Sequence, residues 1–247
     1  MEPSPEPFRA TFGRSVRLLR AFRKEQTDPD FFYGLLARDT VAQLATYTDL
    51  AGALVCDVGG GPGYFTEVLR ARGARPLCVD CDLGELMARD GVVPDGAVLG
   101  SALALPLRDA AVDVCFSSNV LEHVPDPWRM AGEMVRVTRP GGVVYLSFTN
   151  WLSPWGGHET SPWHYLGGHR AAARYARKYG RRPKNRYGEN LFPVSVGAAL
   201  RWARGRADVE VLDVRPRYHP EWATWVVRLP GLREVVTWNL LLVLRRR

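Results

Sequence analysis

Between residues 55 and 65 the chain reads VCDVGGGPGYF, with Asp57, Gly59, Gly61 and Gly63 at every second position. Asp80 follows 23 residues after Asp57, at the end of PLCVD. Glycines in such a loop let bare backbone approach a ligand, because they lack a Cβ and adopt positive φ freely. A phosphate-cradling loop would close on a lysine and a serine or threonine; here Tyr64 and Phe65 follow Gly63. A dinucleotide fingerprint starting at Gly59 would need glycine at 64, where tyrosine stands. A carboxylate two residues before the first glycine would also repel a pyrophosphate. The pattern suits a ribose-bearing ligand with a positive end. Asp57 would serve the cationic part, and Asp80 the ribose hydroxyls from the tip of the second strand.

A second group of candidates could move a proton near neutral pH. His123 stands in NVLEHV, His158 and Glu159 in GGHET, His164 in PWHYLGG and His219 in RYHPEW. Glu122 is a weaker candidate beside His123. The set His158, His164 and His169 has no recognised zinc spacing, so no metal is expected. Cys56, Cys78, Cys81 and Cys115 lie in apolar, strand-like runs and read as buried core residues of a reducing compartment. Cys78 and Cys81 have redox spacing, but Asp80 lies between them and no helix clearly starts there.

Asp57 and Asp80 both end strand-like segments. Apolar runs at 53–58, 76–80, 113–118 and 143–148 alternate with helix-like stretches at 63–72, 83–89 and 127–137. This alternation gives a parallel, doubly wound sheet, and near-continuous apolar strands suit a sheet covered on both faces. Residues 1–7 read as a flexible lead. Residues 10–25 form an amphipathic helix with Leu18, Leu19 and Phe22 on one side and Arg17, Arg20 and Lys24 opposite. A further helix is expected over 30–47, with Asp28 or Asp30 near its start. Residues 150–190 break the rhythm and are too long for a simple connection; they read as an insertion over the sheet's open end. VSVGAALRWA then reads as helix, and VEVLDVRPRY and EVVTWNLLLVL as two closing strands.

At 247 residues the chain accommodates one large α/β domain, or one with an insertion. An apolar fraction of 46% argues against disorder. Net charge is +7, but only Lys24, Lys178 and Lys184 of the 33 basic residues are lysine, so overall basicity carries little weight. Its placement matters more. Arg170, Arg174, Arg177, Lys178, Arg181, Arg182, Lys184 and Arg186 crowd residues 170–186, interleaved with Tyr175, Tyr179 and Tyr187. The start, MEPSPEPF, lacks a basic and apolar leader, and no apolar run approaches the roughly 20 residues a membrane span needs. A cytoplasmic protein is expected, with peripheral contact at the inner membrane face as a further expectation.

The segments DVGGGPGYF, VDCD, ALPLRDAAVDVCFSSNVLEHVPDP and EMVRVTRPGGVVYLS follow one another over about residues 53–149. In order and spacing they resemble the class I S-adenosylmethionine-dependent methyltransferases, in the branch of the ubiquinone and menaquinone methylating enzymes. FRKEQTDPDFFYGLLARDT, WLSPWGGHE, HYLGGHRAAARYARKYG and RYHPEWATW extend the resemblance over nearly the full length, to a largely uncharacterised bacterial branch. The resemblance implies an α/β Rossmann-like, doubly wound sheet of about seven mostly parallel strands with an antiparallel closing strand. N-terminal helices would form a lid over 1–50, the cofactor-binding core would span 51–149, the basic substrate insertion 150–190, and the rest of the sheet 191–247.

The implied cofactor is S-adenosyl-L-methionine, which has a cationic sulfonium and ammonium and no phosphate. Gly59, Gly61 and Gly63 would approach its methionine and ribose portions, Asp57 its amino-acid end and Asp80 its ribose. Ser101 stands where the family usually has an acid, so its hydroxyl or the Ala102 amide would serve adenine, and Asn119 would border cofactor and acceptor. Methyl transfer asks mainly for alignment, with help for a nucleophile that must lose a proton; His158, His164 and His123 are the candidate bases. Glu159, Tyr165, Arg174, Tyr187 and His219 are candidate acceptor contacts. The basic insertion would dock an anionic small-molecule, lipid-linked or glycan acceptor, or rest on an anionic membrane. Methylation of RNA, or cofactor binding without catalysis, are the alternatives; no separate RNA-binding module is visible.

Overall fold

Glycine-bounded apolar runs become strands because their side chains find cover on both sides. The computed structural model describes residues 8–89 and 91–247; the expected lead over 1–7 lies outside the described residues. Two helices, α1 (Phe12–Phe22) and α2 (Pro29–Leu44), come first, followed by β1 (Leu54–Val58), α3 (Tyr64–Ala71), β2 (Arg75–Asp80), α4 (Leu83–Leu86) and β3 (Ala97–Leu99). Then come β4 (Val112–Ser118), α5 (Pro127–Val137), β5 (Thr138–Phe148), α6 (Gly168–Tyr179), α7 (Val196–Arg204), β6 (Val209–Pro216), α8 (Leu232–Val236) and β7 (Leu240–Arg246). The sheet order is β3-β2-β1-β4-β5-β7-β6. The first five strands pair in parallel, and β7 runs antiparallel to both β5 and β6. This is the fold class that the sequence implies.

Cys56, Cys115, Val144 and Leu242 pack on one face against Met130 and Met134 of α5 and Ala199 of α7. Val55, Phe116, Tyr145 and Val243 pack on the other with Val41 and Leu44 of α2 and Leu69 of α3. Alternate residues of one strand thus serve opposite layers, which is why the strands read as unbroken apolar runs.

Four readings change. The three-residue edge strand β3 has too little apolar pattern to be seen in sequence. The helix expected over 83–89 shortens to α4. The stretch EVV closes α8 instead of starting a strand, because the Glu234 carboxylate is held by the backbone amides of Val196 and Gly197 at 2.8 and 2.7 Å. Those amides are orphan donors at the start of α7, and a strand there would carry Glu234 away from them. Cys81 is exposed, one residue past the end of β2, unlike the other three cysteines, which are buried.

α1 is tied down by a polar bond in place of a fully solvated basic face. Arg14 is buried and forms a bidentate pair with Asp39 of α2, with Nε to Oδ1 at 2.8 Å and Nη2 to Oδ2 at 2.7 Å. Its Nη1 donates to the Arg217 carbonyl at 3.0 Å, just past β6. Phe22 meets Trp155 of the 150–190 segment edge-on at 5.2 Å. The chain just beyond that segment is held to the turn after β4, where the Phe192 amide donates to the Glu122 carbonyl, and the Trp151 amide within the segment donates to the Val194 carbonyl, both at 2.8 Å.

Candidate functional site

Sheet connections reverse direction between β1 and β4, and ligand crevices of open α/β sheets lie at such a point. The loop after β1 needs its glycines for distinct reasons. Gly59 has φ +71°, donates its amide to the Val79 carbonyl at 2.7 Å, and would place a Cβ 2.4 Å from Val120 Cγ2. It is therefore wedged against the loop that follows β4. Gly61 is buried, with φ +49° and open space where a Cβ would stand, so the missing side chain leaves that space clear. Gly63 has φ +85° and precedes α3, with Pro94 filling the space of a Cβ.

Asp80 ends β2 with a half-buried carboxylate. Oδ2 accepts from the Gly61 amide and Oδ1 from the Asp82 amide, each at 3.0 Å. Each oxygen retains acceptor capacity beyond these bonds. Asp57 is different. It is 1% exposed and lies beneath the loop, where Oδ2 accepts from Thr66 Oγ1 at 2.9 Å and sits 2.8 Å from where a Gly60 Cβ would be. Burial pushes its carboxyl up to about 7; the Thr66 bond opposes the shift and the charge of Asp80 adds to it. Open space at Gly61 beside the half-buried carboxylate of Asp80 fits a ribose-bearing cofactor, and Asp57 underlies the loop. Ser101 is exposed, its Oγ accepting from the Leu103 amide at 3.2 Å, and Ala102 beside it is half-buried. Asn119 has φ +59°, donates its amide to the Ser147 carbonyl at 2.8 Å, and receives Asn239 Nδ2 at Oδ1 at 2.6 Å.

One turn after β4 the structure joins Glu122, His123 and His158. Glu122 is 1% exposed; its Oε1 accepts from the Thr149 amide at 2.9 Å, and its buried Oε2 has no hydrogen-bond partner. His123 Nδ1 is 2.8 Å from the Asn190 carbonyl, and His158 Nδ1 is 3.4 Å from the Gly156 carbonyl. The two rings meet edge-on at 5.1 Å. One ligand-type atom from each of the three side chains lies within 4.8 Å of the others. Burial lowers the pKa of His158, against the pull of Glu122.

His164 is not brought into this group. It is 1% exposed, its Nε2 faces the Ser153 carbonyl at 3.1 Å, and its ring packs on Trp151 and Tyr165. A Cβ at Gly157 would stand 2.5 Å from it, so His164 props the turn that carries His158. Glu159 is exposed and held by Asn185 Nδ2 at 3.1 Å. Tyr165 is exposed with its hydroxyl donating to the Leu152 carbonyl, and the Arg174 guanidinium lies 3.8 Å over the Trp163 ring. Tyr187 packs against Gly168, where a Cβ would meet its ring at 2.2 Å, and against Trp151 at 5.0 Å. His219 meets Trp238 edge-on at 5.1 Å, and burial lowers its pKa.

Sequence reasoning misses Arg217. It is 1% exposed, with Nη1 donating to Ser118 Oγ at 2.9 Å and Ser147 Oγ at 2.7 Å, and Nη2 to Thr40 Oγ1 at 2.6 Å. Those hydroxyls come from the ends of β4 and β5 and from α2, so no local spacing could announce the cluster. The buried Oδ1 of Asn239 has no hydrogen-bond partner, nor does Thr237 Oγ1. Buried polar groups without partners are costly.

Residues 56–146 match the family described as a methyltransferase domain. A protein named "Uncharacterized methyltransferase" from Mycobacterium sp. (strain KMS) is 53% identical over 244 residues, covering 96% of each chain. Another of that name from Mycolicibacterium gilvum (strain PYR-GCK) is 52% identical over 246 residues, again covering 96% of each. The crystal structure of an S-adenosylmethionine dependent methyltransferase from Mesorhizobium loti superimposes with a TM-score of 0.60 at 21% identity, covering 85% of this chain and 98% of that one.

Proposed function

The chain belongs to the class I S-adenosylmethionine-dependent methyltransferases, and on that premise we propose that it methylates a small-molecule, lipid-linked or glycan acceptor at oxygen or carbon. When bound, the cofactor supplies an electrophilic methyl group on a cationic sulfur. Asp80 would hold its ribose, the backbone of Gly59, Gly61 and Gly63 would face its methionine and ribose portions, and the Ser101–Ala102 turn would take adenine. Asn119, held by Asn239, borders cofactor and acceptor.

The observation that carries the reading is the cluster of Glu122, His123 and His158 one turn after β4, with a buried carboxylate oxygen left without a partner. We place the acceptor's nucleophilic atom beside this cluster, which handles its proton. The acceptor class is supported by α6. It exposes Arg170, Arg174, Arg177 and Lys178 and contains no acidic residue. Trp163, Tyr165 and Leu166 are exposed just before it. Cations beside apolar side chains suit an anionic amphiphile and contact with an anionic membrane surface.

The test incubates methyl-labelled S-adenosylmethionine with the protein and a lysate from a strain lacking its gene, then separates lipid, polar small-molecule, RNA and protein fractions. Label is expected in lipid or small molecules, and is expected to vanish with His158→Ala while cofactor binding persists. Label in RNA would overturn the acceptor class. No label from the native protein, with cofactor binding intact, would favour a non-catalytic binding protein.

A further inference from the structure

We propose that Glu122, His123 and His158 form a three-ligand site for one divalent first-row transition-metal ion of the zinc or cobalt kind. The inference rests on the reading of this cluster as the centre that meets the acceptor, and names the agent that works there. The donor atoms lie within 4.8 Å of one another. A triangle with edges of that length puts its centre about 2.8 Å from each corner, so inward movements of about 0.7 Å reach the 2.0–2.2 Å of zinc bonds to nitrogen and oxygen. Side-chain rotation supplies movements of that size.

The protonation pattern is also that of a metal site. A backbone carbonyl can only accept, so His123 carries its proton on Nδ1, toward Asn190, and leaves Nε2 bare. His158 turns Nδ1 the same way, toward the Gly156 carbonyl. Metal-ligating histidines are commonly oriented by such a bond from the remote ring nitrogen. Glu122 completes the set. Oε1 is fixed by the Thr149 amide, and Oε2 is buried with no partner. A carboxylate oxygen left bare in the interior is costly, and a cation among these three groups would satisfy it.

Two imidazoles and one carboxylate without a thiolate favour zinc, iron, cobalt or nickel over magnesium or calcium. Three protein ligands leave a coordination position open, which an acceptor oxygen could take. The ligands come from two places, the turn after β4 and the 150–190 segment. A bound ion would therefore also lock that segment to the sheet.

The test strips tag-free, full-length protein with a chelator, dialyses it, and titrates Co²⁺ while following visible absorption and heat. One equivalent is expected, displaced by Zn²⁺. Glu122→Gln, which keeps an oxygen for the Thr149 amide, and His158→Ala should each weaken Co²⁺ binding at least about tenfold. His169→Ala, outside the cluster, should bind as the native protein does. Absence of Co²⁺ binding below millimolar concentration, or binding unchanged in both cluster variants, would overturn the proposal. The readout needs no turnover. Loss of methyl transfer in His158→Ala without Co²⁺ binding would refute the ion alone, whereas Co²⁺ binding with turnover unaffected by His158→Ala would refute the cluster's role at the acceptor alone.

Discussion

Replacing Asp57 by asparagine asks how a carboxylate buried beneath the glycine loop is used. Its pKa is pushed up to about 7 in the folded chain, chiefly by burial, from an ordinary 3.8. At pH 6 about nine-tenths of the molecules then carry a proton there, and at pH 8 about one-tenth do. A cationic cofactor seated above the loop favours the ionised form. Binding to the ionised form alone makes the apparent Kd scale as one plus ten to the power (7 − pH), so affinity should rise about tenfold from pH 6 to pH 8. Calorimetry at both values, each in two buffers of different ionisation heat, would read that rise together with release of close to one proton at pH 6. Asp57→Asn removes both, and subtracts any titration of the ligand itself. Stability should move the other way. A carboxyl whose pKa is raised by folding stabilises the fold fully below its unfolded value, and that contribution is lost as pH rises through about 7. The difference from 3.8 to about 7 amounts to at most roughly 4 kcal/mol. At pH 8, without cofactor, Asp57→Asn should therefore unfold at higher denaturant than the native protein. Affinities within twofold at pH 6 and pH 8, with proton release no greater than in Asp57→Asn, would refute the coupling.

Gly59→Ala meets both a positive φ and the Val120 side chain at 2.4 Å. It should abolish cofactor binding measured by calorimetry, and Val120→Ala in the same background should restore only part of it, because the left-handed backbone still costs about 1–2 kcal/mol. Asp39→Ala leaves the buried Arg14 guanidinium without its bidentate partner. Urea unfolding should show a loss of about 3–5 kcal/mol, mostly recovered by Arg14→Leu with Asp39→Leu. Changing Arg170, Arg177 and Lys178 together to glutamine should weaken binding to vesicles rich in phosphatidylglycerol by about 3 kcal/mol, at about 1 kcal/mol per cation. Cofactor affinity should stay unchanged, and equal vesicle binding would remove the membrane role from α6.

Much of this molecule was legible along the chain because the features concerned are local. β1, β2, β4 and β5 announce themselves by apolar runs that both layers of the sheet demand. The positive φ values of Gly59, Gly61 and Gly63 answer to a spacing visible in eleven consecutive residues. α8 was misread because the contact that decides it, Glu234 at the start of α7, bridges 37 and 38 residues. Tyr187 and His164 look like chemistry in sequence; packing against Gly168 and Gly157 makes them supports.

The sequence alone determined the doubly wound sheet, the glycine loop with Asp80 at the next strand's tip, and the family to which these belong. Repeating apolar periods and loop spacings suffice for that, since each reports on its own neighbourhood. Tertiary structure alone decided that His158 of the 150–190 segment meets Glu122 and His123, while His164, only six residues further on, turns into the core. It also decided that Asp57 lies beneath its loop and that Arg217 is enclosed by hydroxyls from α2, β4 and β5. Burial and long-range contact set the charge and reach of these groups, and neither is a property of adjacent residues.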